Sequence, residues 1–208
     1  MDIESKVNDI FPMLVDIRRD FHMHPELSNQ EFRTMGKICE YLDLWGIAYE
    51  KGIAGTGVVA IINGSKPGKT IGIRGDIDAL KMQEEISMPY KSKTDGISHT
   101  CGHDGHTTIL LGVAKILKSM ENDFAGSVKF FFQPAEETTG GAQRMIESGC
   151  MENPHVDYVL GLHMHPKYEV GMIGVKYGKM MAASDEFKVT VHGKTCHGAH
   201  PELGIDAV

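Results

Sequence analysis

The order of its apolar patterns constrains the fold of this chain more than any other feature. Short β-branched runs alternate with stretches whose apolar residues recur at helical spacing. The patterns predict helices at about 3–21, 30–45, 104–120 and 141–147, and strands at about 57–64, 70–80, 127–133 and 157–163. This order is typical of an α/β domain in which helices flank a mostly parallel or mixed sheet. The turn SKPGK predicts that the first two strands form a hairpin or lie side by side.

The pattern changes near residue 180. From about Ser184 the segment DEFKVTVHGK alternates apolar and polar residues, which predicts a half-buried strand. We therefore expect one domain over residues 1–180 and the start of a smaller α+β domain over 181–208. A domain that has barely begun cannot bury its own core, so we expect the chain to be part of a longer protein.

Composition argues against several classes of protein. The 21 Lys and Arg against 28 Asp and Glu give a formal charge of −7, and no basic run is present to neutralise phosphates, which argues against nucleic acid as a partner. The first twenty residues lack a signal-peptide layout, and no apolar stretch reaches the roughly 18 to 20 residues that span a bilayer. We expect a cytoplasmic protein with no membrane partner. Four scattered cysteines are then expected to be free thiols.

The motif HTCGHDGH (His99–His106) is the strongest candidate for a metal site. Cys101 and His103 are separated by one glycine, so a thiolate and an imidazole can converge on one ion. The alternative is a His-rich helix start in which Asp104 caps the helix and the histidines are solvated.

A second motif, FFFQPAEETTGG (Phe130–Gly141), places two carboxylates after an apolar strand. Adjacent Glu136 and Glu137 repel each other unless a cation or a shared proton offsets their charge. One can bind metal while the other faces the water that the metal activates. The alternative is a solvated acidic helix start, which the helix dipole favours.

Three further motifs carry candidate residues. RGDIDAL ends a strand with Asp76 and Asp78 on one face. The two aspartates can be metal ligands or carboxylates that orient a ligating histidine, and the alternative is an exposed acidic turn. GLHMHP places His163 at the end of another strand, where a satisfied core histidine is the alternative. GKTCHGAHP places His197 in a Gly-rich loop.

Together these motifs resemble those of the M20 peptidases, and in particular the M20D amidohydrolases. The segments RRDFHMHPELSNQEFRT, RGDIDAL, HTCGHDGHTTILLGVAKIL, FFFQPAEETTGGAQRMIESG, GLHMHP and GKTCHGAHPELGIDAV match in order and spacing across essentially the whole chain. The resemblance implies a zinc-exopeptidase-like catalytic domain over 1–180, completed by residues outside this chain. It also implies that 181–208 begin a lid or dimerisation domain, through which the full-length protein forms a homodimer.

The resemblance also implies a role for each matched residue. Cys101, His103, Glu137 and His163 resemble the family's metal ligands, and Glu136 resembles its general base. Asp78 matches an acidic position that supports the metal site, and His197 matches a lid histidine that reaches the substrate of a partner subunit. The family usually has proline where Lys81 stands, and its longer chains supply a further histidine ligand.

For the complete enzyme, the resemblance implies hydrolysis of the amide bond of small N-acetyl or N-benzoyl amino acids with two divalent cations. A thiolate and imidazole mixture suits zinc, and Mn, Co and Ni are alternatives. A dipeptidase or carboxypeptidase of the same fold is the nearest alternative function. Two others are a cysteine hydrolase with Cys101 as nucleophile and His103 or His106 as base, and an inactive metal-binding module.

Overall fold

The structure, a computed structural model, describes residues 2–181 and 187–207. It divides into two units, Met1–His165 and Pro166–Val208. The domain boundary expected near residue 180 adjoins residues 182–186, which lie outside the described residues, and the roles assigned to the two domains stay predictions.

A five-stranded sheet and four helices make up the first unit. The helices are α1 (Ile3–Met23), α2 (Phe32–Leu44), α3 (His103–Lys118) and α4 (Gly141–Glu147). The strands are β1 (Ala48–Ile53), β2 (Gly57–Asn63), β3 (Lys66–Asp76), β4 (Ala125–Gln133) and β5 (Tyr158–Gly161). The helices and strands predicted up to residue 163 are therefore present, and β1 is an additional strand.

The sheet is mixed, with the order β1-β2-β4-β3-β5. β4 is antiparallel to β2 and parallel to β3, and β5 is parallel to β3. The prediction that β2 and β3 form a hairpin or lie side by side was wrong, because β4 lies between them. The apolar run of β4 is buried on both faces and can be covered only in the middle of a sheet.

Two apolar clusters cover the two faces of β4. Phe130 and Phe132 belong to the larger cluster, together with residues of α1, α2, α3 and β2, whereas Phe131 packs with Met145 of α4 and with Val156. Successive side chains of a strand point to opposite faces, so β4 connects both clusters. The helices thus hold the sheet from both sides, as the α/β prediction requires.

The second unit contains a short 3₁₀ helix, Pro201–Leu203, and an isolated bridge between Lys194 and Ile205. Residues 184–186 of the strand predicted near its start lie outside the described residues. Its described part is not a strand: residues 187–193 are irregular and exposed, with Phe187 88% exposed. Among the described residues of this unit no neighbouring strand supplies the hydrogen bonds that such a strand needs.

All four cysteines are free thiols, as predicted. No helix among residues 2–181 and 187–207 is both long and apolar enough to cross a bilayer.

Candidate metal centre

The carboxyl ends of three parallel strands bring the predicted site residues to one edge of the sheet. β3 ends at Asp76, and β5 ends two residues before His163. The loop after β4 carries Glu136 and Glu137. Because β3 is parallel to both β4 and β5, these three ends lie next to one another.

Cys101, His103 and His163 form one cluster at this edge. Cys101 Sγ lies 3.3 Å from His163 Nε2, and the His103 and His163 ring centroids are 6.2 Å apart. Gly102, which lies between Cys101 and His103, has a φ of +91° that glycine adopts without strain, and the chain turns into α3 at this residue. Each of the three residues offers one ligand atom within 4.8 Å of the others, so the cluster can hold a metal ion.

Asp78 orients His103. The Nδ1–H of His103 donates to the Asp78 backbone oxygen at 2.9 Å and to its Oδ1 at 3.2 Å. Both partners only accept, so the Nε2 atom carries the free lone pair. Burial opposes protonation of His103, but the Asp78 hydrogen bond and the charges of Asp76 and Glu137 outweigh it and raise its pKa. A metal ion bound to His103 Nε2 would replace the proton that this nitrogen takes up when His103 is protonated.

Glu136 and Glu137 face the same nitrogen but differ in depth. His103 Nε2 lies 3.7 Å from Glu137 Oε1 and 4.0 Å from Glu136 Oε2, and the two glutamate side chains are 20% and 41% exposed. Burial and the Glu137 charge raise the pKa of Glu136. The alternative of a solvated acidic helix start is wrong, because α4 begins only at Gly141.

Two buried polar atoms at the centre of this cluster lack a hydrogen-bond partner among the described residues. They are His103 Nε2 and Glu137 Oε1, which lie 3.7 Å apart. Orphaned buried atoms of this kind are costly unless another group satisfies them. A thiol, two imidazoles and a carboxylate are the ligand types that a zinc-like cation takes, so the residues present fit a metal ion.

His106 is a site residue that the sequence interpretation did not assign to the metal centre. Its Nδ1–H donates to Asp76 Oδ1 at 2.6 Å, and its Nε2 accepts the backbone N–H of Met164 at 2.8 Å. With both ring nitrogens used, His106 supports the loop after β5. Burial would raise the pKa of Asp76, but the His106 hydrogen bond and the charges of His103 and Arg74 lower it to about 2.

The alternative of a solvated histidine cluster with a capping Asp104 is also wrong. His103 and His106 are buried, and no side chain caps α3 among the described residues. Asp104 instead pairs with Arg18 at 2.8 Å and with His22 at 2.7 Å, and His22 reaches Glu84 at 2.9 Å. This buried network fastens α1 to the start of α3.

The environment of Cys101 does not suit a nucleophile. Burial and the Glu137 charge raise the pKa of the thiol to about 12. A cysteine nucleophile needs a lowered pKa, usually from a neighbouring cation, so the cysteine hydrolase alternative is disfavoured.

His197 lies in the second unit and is exposed. Its Nδ1 accepts the backbone N–H of Ala199 at 3.2 Å, and its ring centroid lies 6.2 Å from that of His200. The role expected for His197 at a substrate stays a prediction.

Comparison with known proteins shows which family the sequence resembles. Residues 72–206 match the family model described as Peptidase family M20/M25/M40. The chain is 42% identical over 208 residues to an N-acyl-L-amino acid amidohydrolase of Geobacillus stearothermophilus and covers 56% of it. It is 42% identical over 209 residues to thermostable carboxypeptidase 1 of Saccharolobus solfataricus and covers 53% of it; these alignments include 100% and 99% of the present chain.

A solved structure with a similar fold is that of the Bacillus subtilis YXEP protein, described as a dinuclear metal binding peptidase from the M20 family. It superposes with a TM-score of 0.78 at 42% identity, over 81% of this chain and 47% of that one. The chain thus spans about half the length of the curated relatives it matches.

Proposed function

The chain belongs to Peptidase family M20/M25/M40, and we propose that it carries the metal centre of a hydrolase that cleaves the amide bond of small N-acylated amino acids. One observation carries the proposal. The orphaned atoms His103 Nε2 and Glu137 Oε1 lie 3.7 Å apart at the strand ends, beside the pair formed by Cys101 and His163.

The metal ligands in this proposal are Cys101, His103, Glu137 and His163, and the site takes two divalent cations once the whole protein completes it. A bound divalent cation lowers the pKa of water and polarises the substrate carbonyl. Asp78 binds His103 through Nδ1, so His103 Nε2 would be available to a cation. Zinc suits the thiolate and imidazole set best, with Mn, Co and Ni as alternatives.

Glu136 acts as the general base. Its carboxylate is the more exposed of the pair and lies 4.0 Å from His103 Nε2, so a water beside the metal centre can reach it. It accepts the proton of the attacking water as oxygen bonds to the acyl carbon, and it delivers that proton to the nitrogen as the C–N bond breaks. Its raised pKa suits both transfers.

The substrate class follows from the names of relatives. Both an N-acyl-L-amino acid amidohydrolase and a carboxypeptidase are 42% identical to this chain. N-acyl and peptide amides pose the same chemical problem, so the carboxypeptidase or dipeptidase reaction is the second candidate. We also propose that residues 181–208 begin a lid through which the full-length protein dimerises, and that His197 contacts the substrate in the partner subunit.

The test is an assay of the purified protein against N-acetyl and N-benzoyl amino acids and against N-blocked dipeptides. We expect amine release from the first group, loss of activity with a chelator, and recovery when a divalent cation is restored. Release from the dipeptides alone would favour the carboxypeptidase. Activity that survives complete removal of the metal, does not respond to added cation and is lost on thiol alkylation would contradict the metal mechanism. Cation binding without turnover would leave only the metal-binding module.

A further inference from the structure

Glu31 is a buried carboxylate outside the proposed metal ligands. Glu31 is 0% exposed, and no lysine or arginine of residues 2–181 or 187–207 forms an ion pair with it. Its Oε1 accepts the backbone N–H of Ala135 at 2.9 Å, and its Oε2 accepts the Thr56 hydroxyl at 2.5 Å. Glu31 therefore joins the start of α2 to the loop after β4.

Ala135 needs such a partner. Its φ is +50°, a left-handed conformation that residues with a Cβ seldom adopt. Glu136 follows it directly, so the conformation of Ala135 sets the direction in which Glu136 and Glu137 leave the strand. A hydrogen bond on the Ala135 N–H favours this conformation over relaxed alternatives that would turn both carboxylates away.

Glu31 is free for this contact because another residue caps α2. Glu31 occupies the N-cap position but makes no capping hydrogen bond. Glu26 instead accepts the backbone N–H groups of Arg33 and Thr34 at 2.9 and 2.7 Å. The division of roles fixes the start of α2 and leaves the Glu31 side chain directed at the loop.

Ser28, between these two glutamates, makes a second contact with the metal centre. Its hydroxyl donates to Asp78 Oδ2 at 2.7 Å, and the same oxygen accepts the Glu137 backbone N–H at 3.1 Å. The segment 26–31 thus contacts the loop that carries Glu136 and Glu137, and it also contacts Asp78, which orients His103.

We propose that Glu31 is a positioning residue, whose hydrogen bond to Ala135 holds Glu136 and Glu137 at the metal centre. The inference rests on the proposed function, because it takes these two glutamates as base and ligand. Glu31 acts through the backbone and touches neither substrate nor cation.

The test compares two substitutions of similar size. Glu31→Met removes both hydrogen-bond acceptors. Glu31→Gln keeps a hydrogen bond to each partner, since its amide oxygen accepts the Ala135 N–H and its NH₂ donates to the Thr56 oxygen. We expect Glu31→Met to weaken Co²⁺ affinity by about tenfold or more, and Glu31→Gln to stay within about threefold of wild type. The exposed Glu50→Met is the control and should leave the affinity unchanged.

The absorption spectrum of bound Co²⁺ in the near-ultraviolet and visible ranges supplies a readout that simple loss of stability would not change. Its ligand-field bands report coordination geometry, and a thiolate-to-cobalt band reports Cys101. We expect the ligand-field bands to change in Glu31→Met and the thiolate band to remain, because the proposal displaces the glutamates and not the cysteine.

Should Glu31→Met fail to fold, Thr56→Val tests the same contact from the other side. It removes the hydroxyl that holds the carboxylate, and Thr56→Ser should restore wild-type affinity and spectrum. If the variant that folds, Glu31→Met or Thr56→Val, keeps wild-type Co²⁺ affinity and wild-type absorption bands, the positioning role is overturned and the proposed metal centre is not. An equal loss in Glu31→Gln and Glu31→Met would also overturn it, because charge and not the hydrogen bond would then matter. A wild-type protein that binds no Co²⁺ would overturn the metal centre itself.

Discussion

His106 Nε2 accepts the backbone N–H of Met164 at 2.8 Å, and this hydrogen bond ties the first turn of α3 to the residue that follows His163. The other ring nitrogen donates to Asp76 at the end of β3. His163 in turn donates from Nδ1 to the Met164 carbonyl at 2.7 Å, which leaves its Nε2 for a cation. One imidazole therefore links α3, the end of β3 and the loop after β5.

Replacing His106 with Ala should destabilise the protein and loosen His163. The substitution leaves a buried carboxylate oxygen and a backbone N–H without partners, which costs about 2 to 4 kcal/mol of unfolding free energy. We expect cation affinity to fall about tenfold as well. Urea unfolding and Co²⁺ titration measure the two effects. The exposed His155→Ala is the matched control, and wild-type stability in His106→Ala would contradict the linking role.

Glu136→Gln and Glu137→Gln should separate the two carboxylates by function. We expect Glu136→Gln to keep its cation and to lower turnover by about 10² to 10⁴, because it removes the proton acceptor. The main effect of Glu137→Gln should be on cation affinity, which we expect to fall by about 10- to 100-fold. Elemental analysis and amide hydrolysis rates of the two variants check this. A Glu136→Gln protein with full activity would remove the assigned base.

Burial raises the pKa of Glu136. A base must be deprotonated, so wild-type turnover should fall as pH drops through that pKa, and a profile of turnover against pH measures the fall.

Gly141→Ala should impair the loop that carries these glutamates. A Cβ at this position would lie 1.7 Å from the Pro134 backbone oxygen, next to Ala135. Backbone cannot move aside as a side chain can, so we expect a loss of about 2 to 3 kcal/mol and weaker cation binding. Gly36→Ala is the control, since a Cβ there meets nothing within 4 Å inside α2. It should stabilise the protein by up to about 1 kcal/mol. Equal melting temperatures for both variants would contradict the close approach.

The pair of His22 and Asp104 should make stability depend on pH in a defined direction. The Asp104 hydrogen bond, opposed by burial and aided by Glu84, raises the pKa of His22 above 6.5. The stabilising contribution of His22 to the free energy of unfolding is therefore complete below pH 6.5, and it is lost as pH rises through the pKa of His22 in the folded state. His22→Gln should lower the unfolding free energy by about 3 kcal/mol at acidic pH and flatten this decline. Urea unfolding across the neutral range measures it, and a variant as steep as wild type would exclude His22 as the source.

Much of the site could be predicted because its residues follow strand ends, and strand ends can be recognised from local pattern. The contacts of Glu31 and Ser28 could not, since their partners lie 104 and 50 residues away. The first edge strand was missed because AYEKGI is largely exposed and shows no apolar alternation. The position of β4 between β2 and β3 depends on which strand can be buried on both faces, and local turn chemistry does not reveal that.

Three consecutive phenylalanines on β4 belong to different clusters, Phe131 to one and its two neighbours to the other. The aromatic NMR signals of adjacent residues thus observe opposite sides of the protein. Ring flipping in a packed interior requires neighbouring atoms to make room, so its rate measures local looseness. Line shapes from residues 130–132 can therefore tell whether the layer of α1 and α3 or the layer of α4 softens first on heating.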